Sequence, residues 1–93
     1  MAEQIKINST EDAITDFLES VLWADIEREL KAWKEGFQIE LESIVDDAAE
    51  KNPSTASVLM HLGDLNGRQK AIDYVLQLPS VLLTIVREQN KDR

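Results

Sequence analysis

The sequence predicts an all-α protein: a long antiparallel helical hairpin with short N- and C-terminal helices, self-associating into an oligomeric bundle. Three observations carry that prediction. Apolar residues recur at steps of three and four almost throughout, the spacing of one face of an α-helix. No run of β-branched or aromatic residues alternates with polar ones as a half-buried strand does. Breakers are scarce, namely Gly36, Gly63, Gly67, Pro53 and Pro79, and Asn52-Pro53 falls where a hairpin needs its turn. Ninety-three residues allow a single domain, residues 1–93, near the lower size limit for a self-sufficient core. Association with another chain would relieve that shortage.

Residues 1–9 are expected to be a flexible N-terminus, followed by a helical arm over 11–50 that bends near residue 20. Ser9 or Thr10 can cap its first part, and Glu11 and Asp12 suit the positive end of a helix dipole. Ile14, Phe17, Leu18 and Val21 make one apolar stripe. The longer part carries another: Leu22, Ile26, Leu30, Trp33, Phe37, Leu41, Ile44 and Ala48. Leu22, Trp33 and Ile44 are spaced by eleven, as are Ile26, Phe37 and Ala48, a period that keeps a seam nearly straight. The two stripes point in different directions around one helix, so a bend at Ser20, itself a good cap, is expected.

Residues 51–54 form the predicted turn. A second long helix is expected over 55–77, because Val58, Leu62, Leu65, Gln69, Ile72 and Leu76 follow a heptad without a change of phase. Leu78-Pro79-Ser80 reads as its stop, with a short C-terminal helix over 81–88 and a frayed charged end.

That heptad settles what "LGDLNGRQK" is. A hairpin turn at Asn66-Gly67 would reset the phase, and none is reset. A phosphate loop fails as well, having the wrong spacing, no Ser or Thr after Lys70 and no preceding strand. Gly63 and Gly67 therefore read as a Gly-x-x-x-Gly pair for close approach of a neighbouring helix, with a local kink as the alternative. Gln69, polar within an apolar seam, is expected to fix register. Arg68 is expected to reach a carboxylate on the acidic long helix. Trp23 and Trp33 read as core or as interface anchors. With Phe37, Leu76 and Leu78 these residues make up the expected packing surface.

The charge is acidic, −8 overall, and uneven. Residues 1–50 hold four Lys/Arg against fourteen Asp/Glu, and residues 51–93 six against four. Direct nucleic-acid binding needs a basic surface and is not expected. The carboxylates of the long helix suit a solvated face, or a mimic of DNA phosphates offered to a basic host protein. A single histidine, His61, and no cysteine exclude thiolate metal sites and disulfides, and no Glu-x-x-His pair is present. Neither a metal nor another cofactor is expected, and no catalytic constellation. The N-terminus lacks the apolar core of a secretory signal, and no apolar run is long enough to span a bilayer.

Ser20-x-x-Trp23, then Leu65-x-Gly67-Arg68, then Leu76-x-Leu78-Pro79 resembles a pattern in small tailed-phage and prophage helical-hairpin proteins found among head-assembly and DNA-packaging genes. The resemblance covers about residues 18–83 and omits the N-terminal helix. It implies a phage origin and an accessory part in assembly, without an activity. The expected function is a non-enzymatic phage interaction protein acting through helix–helix contacts in the host cytoplasm, the virion or both. Its expected partners are itself, as a dimer by preference, and a phage or host protein. The alternative is an acidic inhibitor of a host nucleic-acid-handling or defence protein.

Overall fold

A computed structural model describes residues 6–51 and 54–91, and among these the chain is all helical with no strand. The elements are α1 (Glu11–Leu18), α2 (Val21–Lys51) and α3 (Thr55–Lys91). Thr10 caps α1, its hydroxyl oxygen accepting from the Ala13 N–H at 3.1 Å. Ser20 both ends α1 and starts α2: its hydroxyl donates to the Phe17 carbonyl at 2.6 Å and accepts from the Trp23 N–H at 3.1 Å. The hydroxyl caps the Trp23 N–H at the start of α2 and joins the Ser20 N–H on the Phe17 carbonyl, so one residue closes α1 and opens α2 where the chain bends. Asn52 and Pro53 of the expected turn lie outside the described residues. Ser54 caps α3 through the Ser57 N–H at 3.4 Å.

The inner face of α2 differs from the expected one. Leu22 and Trp33 are exposed, at 62% and 53%. Among the described side chains Trp23, Ile26, Glu27, Leu30, Lys34, Phe37, Leu41, Ile44 and Ala48 are the buried or half-buried positions, and apart from Ile26, beside Glu27, they alternate by four and three. The seam is therefore a seven-residue repeat and not an eleven-residue one. Lys34 holds an inner position because its amine reaches Asp73 on α3 at 2.7 Å while its aliphatic stem stays against the seam.

On α3 the expected stop at residues 78–80 is absent, and one helix of 37 residues runs through Pro79. The expected helices over 55–77 and 81–88 are parts of it. Pro79 has no N–H to donate to the Val75 carbonyl, and a proline in a helix interior costs about 3 kcal/mol. The seam explains why the helix continues. Beyond Ile72 and Leu76 it passes through Pro79, Leu83 and Val86 at the same three-and-four spacing, with Pro79 and Val86 buried. Burying that stripe outweighs one lost hydrogen bond. Ser80 caps nothing; its carbonyl accepts the Thr84 hydroxyl at 3.1 Å within the helix.

Contacts between α2 and α3 run in opposite order along the two helices. Lys34 meets Asp73, Gln38 meets Gln69 at 3.1 Å, and Glu40 meets His61 at 3.4 Å. α1 packs at the far end of α3, where Arg87 donates to Glu11 at 2.5 Å. Just before α1, Ile7 and Gln89 exchange two hydrogen bonds, N–H to side-chain oxygen at 2.9 Å and side-chain N–H to carbonyl at 3.3 Å. Ile7, within the segment 1–9 expected to be flexible, is thus hydrogen-bonded to α3. Gln89 takes part in that exchange, and the helix continues to Lys91, beyond the expected end at residue 88.

The result is thin. It measures 61 × 36 × 14 Å with a radius of gyration of 18.9 Å, where a compact chain of this length has about 12 Å. Ile14, Trp23, Leu65, Ile72 and Val86 are its buried hydrophobic side chains, and Leu65 alone among the described residues falls to 1% exposure.

Candidate interaction site

Where α1 meets α3, the chain leaves an open apolar groove of about 470 Å³. Ile14 and Phe17 reach it from α1, Trp23 from the start of α2, and Leu78, Pro79 and Leu82 from α3. Its geometry follows from the Ser20 bend. Capping at Ser20 turns the start of α2 so that Trp23 is buried, 6% exposed, with its ring 5.4 Å from that of Phe17 and tilted by 45°. Pro79 contributes a ring without an N–H, so its wall presents no donor. Ser9 supplies the one hydroxyl among the lining residues. No carboxylate, amine or imidazole lines the groove, so its chemistry is that of a socket for apolar side chains.

The expected packing residues divide between several places. Trp23 and Leu78 line the groove. Phe37, Gln69 and Leu76 lie half-buried on the faces that α2 and α3 share. Gln69 donates across to the Gln38 side chain and, at 3.4 Å, to the Lys34 carbonyl. Trp33 is exposed, and its indole N–H donates to Glu29 at 2.9 Å on the same helix. Among the described residues Arg68 reaches no carboxylate of α2. It pairs with Asp64, one turn back on its own helix, at 3.1 Å, and lies over the Phe37 ring at 5.6 Å. The ring face gives the guanidinium a partner on α2 without a second carboxylate.

Gly63 and Gly67 do not admit a neighbouring helix of this chain. Both are exposed, and a Cβ built on either meets nothing within 4 Å. The reason is angular. Gly67 is two residues from both Leu65 and Gln69, and two steps carry a helix about 200° around, to the side away from the seam.

The groove walls supplied by Ile14, Phe17, Pro79 and Leu82 were not among the expected packing residues. The α1 stripe was visible in the sequence; its meeting with Pro79 depends on α3 continuing. Among the described residues no group of three or more His, Cys, Asp or Glu side chains is placed to hold a metal ion. No described helix is long and apolar enough to cross a membrane. By class, then, the chain is an all-α protein with an open apolar groove at one end. No family model, curated protein or solved structure matches it.

Proposed function

We propose that the chain is a non-enzymatic interaction protein of phage origin, an accessory component of assembly that acts through helix–helix contacts. In this reading α2 and α3 form an antiparallel hairpin that associates with a second copy and with a phage or host protein, in the host cytoplasm, the virion or both. The observation that carries it is the apolar groove around Trp23 and Pro79, whose lining suits the docking of apolar side chains and holds no acid or base for proton transfer. The phage context rests on the resemblance at Ser20, Trp23, Leu65, Gly67, Arg68, Leu76, Leu78 and Pro79.

One observation favours the second reading, an acidic inhibitor of a host nucleic-acid-handling or defence protein. Asp25, Glu29, Glu35, Glu40, Glu42 and Asp46 all lie exposed along α2. A row of carboxylates of that length offers a basic protein an anionic track.

Quantitative proteomics of purified particles and assembly intermediates from the encoding phage tests both. Recovery at a fixed ratio to a particle protein supports the first reading. Absence from particles, with a complex to a basic host protein that dissolves at moderate salt, overturns it in favour of the second.

A further inference from the structure

Along the outer face of α3, from Met60 to Val81, the described residues leave a stripe open to water, with Leu78 at its edge also lining the groove. Met60, Gly67, Tyr74 and Val81 repeat along it at every seventh residue, with Gly63 and Leu78 beside them. At 100° per residue all six fall within an arc of about 60°, on the side away from the seam with α2. Met60 is 77% exposed, Tyr74 71%, Leu78 50% and Val81 47%. Exposed apolar residues aligned along one helix face in this way mark an interface.

The glycines sharpen the point. Alanine at Gly63 or Gly67 would be the better helix former and would clash with nothing in the chain. The fold therefore gains nothing from glycine at these positions. What glycine supplies on an exposed helix is room for another backbone to come close.

We propose that this face is a homodimer interface in which α3 packs antiparallel on α3 of a second copy, with the two-fold axis at Gly67. The proposal rests on the reading that the chain works through helix–helix contacts, and it names the surface and the partner. Register supports it: Met60 and Tyr74 lie seven residues to either side of Gly67, so the axis sets glycine against glycine and Met60 against Tyr74 of the partner subunit. Charge supports it as well. Two chains of net charge −8 repel wherever α1 or α2 faces outward, whereas the six stripe residues are uncharged. Antiparallel pairing opposes the two helix dipoles and keeps the acidic α1 segments at opposite ends.

The absence of cysteine makes the test clean, because a disulfide forms only between Cα atoms roughly 4.4–6.8 Å apart. Under copper-phenanthroline oxidation, Gly67→Cys is expected to link to itself. Met60→Cys is expected to link to Tyr74→Cys in a mixture but not to itself, and Val45→Cys on the outer side of α2 not to link. In sedimentation, Tyr74→Glu and Gly67→Leu each raise the dimer dissociation constant at least tenfold with unchanged helicity. Gly67→Leu does not lower the melting temperature at concentrations where the chain is monomeric. Self-linking of Met60→Cys, or a dimer that survives both substitutions, overturns this interface and leaves the helix-contact reading standing. A wild type that stays monomeric at hundreds of micromolar also overturns it, and the particle proteomics then judges the broader reading on its own.

Discussion

α2 and α3 share a seam with the same heptad spacing, yet they turn very different faces to water. The outer side of α2 carries Asp25, Glu29, Glu35 and Glu42, with Leu22, Trp33, Ile39 and Val45 scattered among them. The outer side of α3 aligns four of its exposed apolar residues, Met60, Tyr74, Leu78 and Val81, in one stripe, with Leu59 and Val75 to either side of it. An exposed apolar residue alone on a charged face needs no explanation, whereas a row of them does. The inner faces thus explain the fold, and the difference between the outer faces is what points to partners.

The largest expected effect tests the assignment of inner and outer positions. Leu65 is 1% exposed at the centre of the seam, so Leu65→Ala should cost about 2–5 kcal/mol, a large share of the stability of so thin a chain. Leu22, an inner position under the eleven-residue repeat, is 62% exposed, so Leu22→Ala should stay within about 0.5 kcal/mol. Thermal or urea unfolding of the two variants decides between the repeats. Comparable losses at both sites would restore the eleven-residue seam.

Much of this was legible before the structure. Helical content, the Ser20 bend and the α3 heptad all follow from spacing and capping, which are local. The α2 seam was misread because Glu27 and Lys34 are charged, and a reading that admits only apolar residues passes over them to Leu22 and Trp33. Lys34 has an inner position because Asp73, thirty-nine residues on, meets it. The outward direction of Gly67 was available from angular arithmetic alone. The groove was not, because it requires α1 to pack on α3 beyond the stop expected at Pro79.

Pro79 gives the next effect in size. Pro79→Ala restores the hydrogen bond to the Val75 carbonyl and relieves about 3 kcal/mol of helix disruption. Against this, it removes the apolar atoms of a buried ring, at about 0.8 kcal/mol per methylene lost. The expected net gain is about 1–2 kcal/mol, which in a chain of this size raises the melting temperature by roughly 4–15 °C. A lower melting temperature would mean that the ring holds α1 in place more than it strains α3. The groove would then depend on proline for its shape.

The smallest effect concerns Arg68, and it separates the shared face of the two helices from the outer stripe. The guanidinium and its Asp64 partner are 55% and 54% exposed, so their pairing is worth about 0–1 kcal/mol. Its position over the Phe37 ring adds about 0.5–1 kcal/mol at an exposed site. Arg68→Lys retains a cation for both and should change stability by less than about 0.5 kcal/mol, while Arg68→Ala should cost about 1 kcal/mol. A double-mutant cycle of Arg68→Ala with Phe37→Leu isolates the ring contact, and one with Asp64→Ala isolates the ion pair. Coupling to Phe37 should be the larger and should persist at high salt better than the coupling to Asp64. Arg68 lies about 100° around α3 from Gly67, off the outer stripe, so neither substitution should shift the dimer dissociation constant. A cycle with no Phe37 coupling, together with weakened dimerisation, would move Arg68 from the α2 side to the outer face. The two faces of α3 would then have to be drawn differently.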